Sequence, residues 1–257
     1  MLKIASWNVN SLRVRLEHVL DWLEANQPNI IGLQETKLQN PAFPLEAFEM
    51  AGYRALYSGQ KTYNGVALLS RQPASEPIVD LPGLEDPQRR IVGATIGPVR
   101  VLNIYVPNGQ SVGSEKYAYK LDWLAKLAQL VEQELRKSGN LLVMGDFNIA
   151  PDDRDVHDPA AWAGKILCSE PERAALRHLL DLGLVDTFRQ FEQPEQTFSW
   201  WDYRSAGFRR NLGLRIDLLL ASPDLAAQCR SSDVDVAPRR LERPSDHAPV
   251  VAEFELE

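Results

Sequence analysis

Short runs of strand-type sequence, several of them apolar at every position, recur along this 257-residue chain with helical stretches between them. They are Leu2–Val9, Ile30–Gln34, Val66–Ser70, Ile91–Ile96, Val99–Val106, Asn140–Gly145, Ile216–Ala221 and Val250–Leu256. A strand that is apolar on both faces must be covered on both faces, so these segments belong inside a layered structure. Three stretches carry helical spacing. Leu16, Val19, Leu20 and Leu23 form one stripe, stopped by Asn26-Gln27-Pro28. Leu124, Leu127, Ala128 and Val131 form a second, with Gly139 placed to end it. Ser169 and Glu172 form a capping box ahead of Leu176, Leu179 and Leu180, closed by Gly183. Gly97-Pro98 between two strand runs predicts a hairpin. The expected fold is α/β: two mixed sheets packed face to face, each flanked by helices, in one domain over residues 1–257.

Composition narrows the classes further. No apolar run approaches the roughly 20 residues of a membrane span, and Met1-Leu2-Lys3-Ile4 leads directly into a strand. Cys168 and Cys229 are too few for a disulfide framework and lack metal-type spacing, so a cytoplasmic protein with reduced thiols is expected. The formal charge of −7 excludes coating of nucleic acid by net charge, but allows a local basic face around an acidic site. Twenty of the 28 basic residues are Arg, which fits phosphate recognition and equally fits a biased genome composition.

The chemistry lies where the strands stop. Apolar runs end abruptly at Trp7-Asn8-Val9-Asn10, Gln34-Glu35, Tyr105 and Asp146-Phe147-Asn148, while Asp217 and Asp246-His247 stand just before others. Any one of these residues alone reads as a turn cap or a solvated side chain. Gathered at one edge of a sandwich, they would place four carboxylates, three Asn, a Tyr and a His in one cleft. Such a cluster requires a cation, a proton or mutual hydrogen bonds.

Eight segments in order along the chain carry a resemblance. They are Trp7-Asn8-Val9-Asn10, Leu33-Gln34-Glu35-Thr36-Lys37, Gly65–Ser70, Gln88-Arg89-Arg90, Asn103–Pro107, Gly145–Ala150, Leu214-Arg215-Ile216-Asp217 and Ser245–Pro249. Together they resemble the exonuclease III family, the class II apurinic/apyrimidinic (AP) endonucleases of the endonuclease/exonuclease/phosphatase superfamily. The resemblance implies a four-layer α/β sandwich, in agreement with the reading above. Ser11 departs from the pattern, which usually has Gly after the Asn-X-Asn triplet, and this places the geometry of the first loop in question.

Phosphodiester hydrolysis needs a positioned water, neutralised phosphate charge and a stabilised leaving oxygen. In the light of the resemblance, Glu35, with Asn8 and Asp246 directly or through water, forms a hard oxygen site for Mg²⁺, with Mn²⁺ as the alternative. Zinc is disfavoured because there is no His/Cys cluster. Asp146 is the candidate to orient and deprotonate water, and Asn148 to hold the phosphate or Asp146. Asp217 would fix His247 as a cationic donor, and Tyr105 would assist at the phosphate or the leaving group.

The resemblance also implies a flipped-sugar pocket formed by Trp200, Trp201 and Leu214, next to the aromatic and Arg-rich segment that contains Arg204. For Trp201, simple filling of the core is an equal reading. Asn10, Lys37, Gln60, Lys61, Tyr63, Asn64, Arg89, Arg90, Asn108 and Gln110 are candidate contacts to the DNA backbone, with a solvated surface as the competing reading. The expected protein is a monomeric hydrolase that incises duplex DNA 5′ to abasic sites, leaving a 3′-hydroxyl, and that removes blocking groups from 3′ ends; 3′→5′ exonuclease activity is a further expectation. No membrane partner is expected. Two alternatives stand beside it: a nonspecific nuclease or phosphoesterase of the superfamily, and a non-catalytic nucleic-acid-binding regulator of the same fold. The presence of the whole acidic and His set weighs against the regulator.

Overall fold

The computed structural model describes residues 1–256 and builds two six-stranded mixed sheets. Across the first sheet the order is β13 (Cys229–Val234), β14 (Val250–Phe254), β1 (Leu2–Asn8), β2 (Ile30–Gln34), β4 (Val66–Ser70) and β3 (Arg54–Ser58). Across the second it is β5 (Ala74–Ile78), β6 (Ile91–Ile96), β7 (Val99–Tyr105), β8 (Leu141–Asp146), β12 (Asp217–Ala221) and β9 (Val185–Asp186). Each sheet has one parallel pair at its centre, β1 with β2 and β7 with β8, and every other pairing is antiparallel. A small hairpin, β10 (Trp200–Trp201) and β11 (Gly213–Leu214), lies apart from both sheets.

Alternation along each strand explains why the strand runs are apolar throughout. Ile4 faces the core between the sheets with Leu68, Val101, Leu142, Met144 and Leu219. Its neighbour Ala5 turns to the outer layer with Trp7, Ile31 and Leu33, under α1 (Leu12–Asn26) and α2 (Leu45–Met50). In the second sheet, Leu141 and Val143 face outward onto Trp123, Leu127 and Val131 of α3 (Glu115–Lys137) and onto Leu176 and Leu179 of α5 (Glu170–Asp181). The short helices α4 (Pro159–Trp162) and α6 (Pro223–Ala227) complete the α-helices among the described residues. The result is helix, sheet, sheet, helix. Each fully buried Leu, Ile or Val side chain in these layers is worth about 1.5–3 kcal/mol, which is what specifies the inward and outward registers.

The Ser169–Glu172 capping box and the Gly97-Pro98 hairpin form as expected. The predicted role of Gly139 does not: α3 ends at Lys137, and Ser138 is already extended (φ −133°) because the chain runs directly into β8. Edge strands β3, β5 and β13 carry no strong sequence signal. β5 is exposed at four of its five positions and contains Pro77, as suits a strand paired on one side only.

Two glycines are fixed by close approach. A Cβ at Gly145 would lie 1.9 Å from the Ile104 carbonyl oxygen, and one at Gly32 would lie 2.5 Å from Asn103 Oδ1. Gly32 thereby leaves room for the amide network that ties the sheets together. In it Gln34 Nε2 donates to Asn103 Oδ1 (2.6 Å) and Ser6 Oγ (2.9 Å), while Asn103 Nδ2 donates to the Leu33 and Ala67 carbonyls. This network lies directly behind the strand ends that carry the polar residues.

Candidate active site

Strand register collects the polar ends. Asn8 pairs with Gln34, so Glu35 emerges beside Asn8, while Asp146 pairs with both Tyr105 and Asp217. Face-to-face packing of the sheets then joins these two sets. Ligand atoms of Glu35, Asp146 and His247 all lie within 4.8 Å of one another.

Asn8, fully buried, donates its amide group to Glu35 Oε1 (3.0 Å) and Asp146 Oδ2 (2.9 Å), while its Oδ1 accepts from the Asn10 backbone N–H (3.0 Å). Its nitrogen, not its oxygen, faces the carboxylates. Asp146 also accepts from the Asn148 backbone N–H (2.8 Å) and from Asn148 Nδ2 (3.3 Å). Burial pushes the Asp146 carboxyl up to about 7, although the nearby His247 pulls the other way.

His247 Nδ1 lies 2.8 Å from Asp217 Oδ2, and its Nε2 lies 3.7 Å from Asp146 Oδ2. Burial disfavours the imidazolium, but the charges of Asp217 and Asp146 outweigh it and hold the ring up to about 10. The ring is therefore a cation with Nε2–H directed toward the cluster. Ser199 holds Asp217 in turn: its Oγ donates to Asp217 Oδ2 (2.6 Å) and accepts from the Ile216 and Asp217 backbone N–H groups. The Tyr105 phenol is pushed well above its ordinary value by burial and by Glu35, so it keeps its proton and acts as a donor. The Arg90 guanidinium lies 4.6 Å from its ring centre.

The remaining expected residues divide by position. Asp246 lies beside the cluster, its oxygens accepting from Asn10 Nδ2 (2.9 Å) and Trp200 Nε1 (3.0 Å). Lys37 Nζ bridges Glu35 (3.1 Å) and Asn10 Oδ1 (2.5 Å). Tyr63, Asn64, Arg90, Asn108 and Gln110 line, with Tyr105, a cleft of about 650 Å³. Arg89 lies nearby, paired with Asp80. Trp200 and Arg204 line a neighbouring cavity of about 340 Å³ together with His157 and Trp162.

Trp201 and Leu214 do not reach that cavity. Trp201 is 2% exposed, packs edge-on against Phe208 and donates its N–H to Asn211, which is the core-filling reading. Leu214 is fully buried, in a cluster that Trp200 packs against. The loops themselves are strained: Asn10, Ser11, Glu35, Lys37, Asn64, Gln110 and Asn148 all have φ between 43° and 90°. Ser11, at φ 90°, occupies a conformation natural to glycine, which is why the departure noted above falls on geometry and leaves the reacting groups in place.

Sequence reasoning did not single out Ser199, nor the fully buried Lys120, whose Nζ donates to the Asn108 and Asn148 carbonyls. A serine directly before a tryptophan and a lysine on a helix carry no pattern that separates them from ordinary surface residues.

The donor set suits a hard divalent cation. Two carboxylates offer oxygens beside His247, whose Nδ1 is held by Asp217, and Glu35 keeps some solvent access, at 19% for its side chain.

Comparison with known proteins agrees with this geometry. The endonuclease/exonuclease/phosphatase family profile matches residues 5–247. The exodeoxyribonuclease III of Haemophilus influenzae is 42% identical, over 98% of this chain and all of the relative. Among solved structures, a D146N variant of the 3′ phosphatase NExo from Neisseria, bound to product DNA hairpin, superposes with a TM-score of 0.98 at 49% identity and full coverage of both chains. An AP endonuclease from Archaeoglobus fulgidus superposes with a TM-score of 0.95 at 40% identity, again over both whole chains. With matching motifs, matching fold and full-length relatives at this identity, the chain belongs to the endonuclease/exonuclease/phosphatase family.

Proposed function

We propose that this protein is a DNA-repair phosphodiesterase that hydrolyses the bond 5′ to an abasic site in duplex DNA, leaving a 3′-hydroxyl, and that the same centre clears blocking phosphates from 3′ ends. The observation that carries this reading is the convergence of Glu35, Asp146 and His247 within 4.8 Å, with Asp217 fixing the His. Both reactions present the centre with the same group, a phosphate next to a 3′ oxygen. The relatives support both: one is an AP endonuclease, and two Neisseria structures, at 49% and 50% identity, are of a 3′ phosphatase and a 3′-5′ exonuclease. We assign 3′→5′ exonuclease activity to the same site.

Mg²⁺ is the ion assigned; Glu35 would hold it, with Asn8 and Asp246 beside it directly or through water, which leaves Asp146 free for proton transfer. When bound, it supplies positive charge to the phosphate and raises the acidity of water. The protein's own groups do the rest. Asp146, once ionised, orients the attacking water and takes its proton. His247 Nε2–H is directed at a phosphate oxygen and offsets the charge that builds there. Asn148 and Asn8 hold Asp146 in place, and Tyr105 donates to the phosphate or to the departing oxygen.

The cleft of about 650 Å³ beside Tyr105 receives the DNA strand, with Tyr63, Asn64, Arg90, Asn108 and Gln110 as backbone contacts. Trp200 is the part of the aromatic segment that meets the sugar; Trp201 and Leu214 support it from behind. The protein works as a monomer in the cytoplasm.

One assay tests this reading: a duplex with a single central abasic analogue, its intact control and a 3′-phosphate duplex, each with Mg²⁺ and with chelator. Metal-dependent incision at the abasic position and phosphate release from the 3′ end support it. Equal cleavage of the intact duplex assigns a nonspecific nuclease, and no cleavage with either Mg²⁺ or Mn²⁺ assigns the non-catalytic alternative.

A further inference from the structure

We propose that Lys120, on α3, is a positioning residue for the Asp146–Asn148 pair: its buried ammonium fixes the two loops that carry Asn108 and Asn148. The side chain is fully buried, and its three N–H donors each have one partner: the Asn108 carbonyl (3.1 Å), the Asn148 carbonyl (2.7 Å) and Glu172 Oε1 (2.5 Å).

The two carbonyls belong to loops from different strands, one after β7 and one after β8. Their side chains meet as well, since Asn108 Nδ2 donates to Asn148 Oδ1 (3.2 Å). Asn148 sits at φ 50°, an uncommon conformation that needs outside support, and its own N–H groups orient Asp146. Gly109 packs against the lysine stem, where an added Cβ would lie 3.1 Å from Lys120 Cδ. Burial lowers the Lys120 pKa while Glu172 raises it, so the pair is held together by mutual charge. Glu172 is itself fixed by the Leu167 and Ser169 backbone N–H groups at the start of α5. A chain of contacts therefore runs from α5 through Lys120 to the backbone of the proposed proton acceptor's partner.

This inference rests on the reading of Asp146 and Asn148 as the hydrolytic pair, and the test separates the two. K120M alone leaves Glu172 buried without its partner and endangers folding, so the decisive protein is K120M/E172Q, with E172Q as the stability control. Turnover is measured on abasic and 3′-phosphate duplexes alongside thermal unfolding. A displacement of about 1 Å at the reacting groups costs on the order of 10²-fold. K120M/E172Q is expected to lose kcat on that scale, equally on both substrates and with KM little changed, while E172Q loses thermal stability but keeps its kcat. A folded double variant with the kcat of E172Q, or an E172Q protein that loses as much kcat as the double variant, overturns the proposal. If the double variant does not fold, K120R, which keeps Glu172 paired, decides in its place: lost kcat supports the proposal and wild-type kcat overturns it. Asp146→Asn is run beside these. Retained turnover there overturns the underlying reading of the site; lost turnover there with full kcat in K120M/E172Q overturns only the role of Lys120.

Discussion

Arg215 and Asp146 are each 1% exposed and lie on neighbouring segments of the same sheet edge, yet their charges are handled in opposite ways. Arg215 donates to Asp155 Oδ1 (2.6 Å) and to both oxygens of Asp186 (2.6 and 3.2 Å), and Arg189 also donates to Asp155. Two cations meet two anions, and although burial disfavours the Arg215 cation, Asp186 and Asp155 hold its pKa above the ordinary value. Asp146 has no such partner set. Glu35, Asp146, Asp217 and Asp246 are gathered around His247 and Lys37, so carboxylates outnumber cations and burial drives a proton onto Asp146. A closed network stabilises the fold; an incomplete one is poised to take up what it lacks.

The sharpest way to break this contrast is to neutralise one member of each set. Asp146→Asn removes the proton acceptor but keeps the shape and relieves a buried charge. Turnover on abasic duplex is expected to fall on the order of 10⁴-fold, with thermal stability equal or higher. Single-turnover cleavage and a melting curve decide it, and near-normal turnover removes Asp146 from proton transfer. Arg215→Met does the reverse. It leaves Asp186 without its cation and Asp155 with Arg189 alone, and is expected to cost about 3–5 kcal/mol in urea unfolding, whereas the cleavage rate per folded molecule changes far less.

The incomplete set should also respond to pH. Because the Asp146 pKa is raised to about 7, the metal-free protein holds a proton there below that pH. A divalent ion beside Asp146 favours its ionised form, so apparent Mg²⁺ affinity is expected to rise by up to about tenfold per pH unit toward 7 and then level off. Stability without Mg²⁺ follows the matching sign. The Asp146 contribution is fully present below the ordinary carboxylate range and is lost as pH rises through about 7. Calorimetric Mg²⁺ titrations at a series of pH values test this, and an affinity flat from pH 5 to 8 contradicts it.

Which of these features the sequence made legible follows from burial. Asn8, Glu35, Asp146 and Asp217 stand out because each lies where an otherwise apolar strand stops or starts, and a polar group gathered there has few inexpensive explanations. The layers were legible for the same reason: β2, β4 and β6 are apolar along almost their entire length, and their ends match the expected ones. Edge strands β3 and β13 have partly exposed positions, so their sequence resembles a loop. Lys120 was illegible because a helix lysine normally faces water, and only packing against α5 shows that this one does not. The orientation of the Asn8 amide and the burial of Trp201 are likewise properties of three-dimensional packing, which spacing along the chain does not encode.

Strain is a second, smaller difference between the two regions. The left-handed residues concentrate in the loops around the cleft, and Ser11 at φ 90° bears a Cβ where glycine would be at ease. Ser11→Gly is expected to stabilise the protein by about 1 kcal/mol, since relief of the side-chain clash exceeds the added freedom of the unfolded chain. Activity should be unchanged, because the Ser11 backbone N–H still donates to the Glu35 carbonyl (2.8 Å). A lower melting temperature would show that the serine hydroxyl contributes more than the strain removes.

The smallest expected effect lies at the rim, where cations have no internal partner. Lys61 is exposed, forms no ion pair among the described residues, and shares a cleft of about 360 Å³ with Arg13 and Lys37. In contrast to Arg215, its charge remains available to an incoming phosphate. Lys61→Ala should leave the melting temperature unchanged, because an exposed charge without a partner does little for the fold. If it neutralises one phosphate, DNA binding weakens about equally for abasic and intact duplexes, and the slope of log affinity against log salt falls by about 0.9. Binding measured across a salt series separates this from a solvated lysine, for which the slope stays at the wild-type value. A change confined to the abasic duplex would instead place Lys61 in recognition of the lesion, and the division between rim cations that grip the backbone and an acidic centre that acts on it would have to be redrawn.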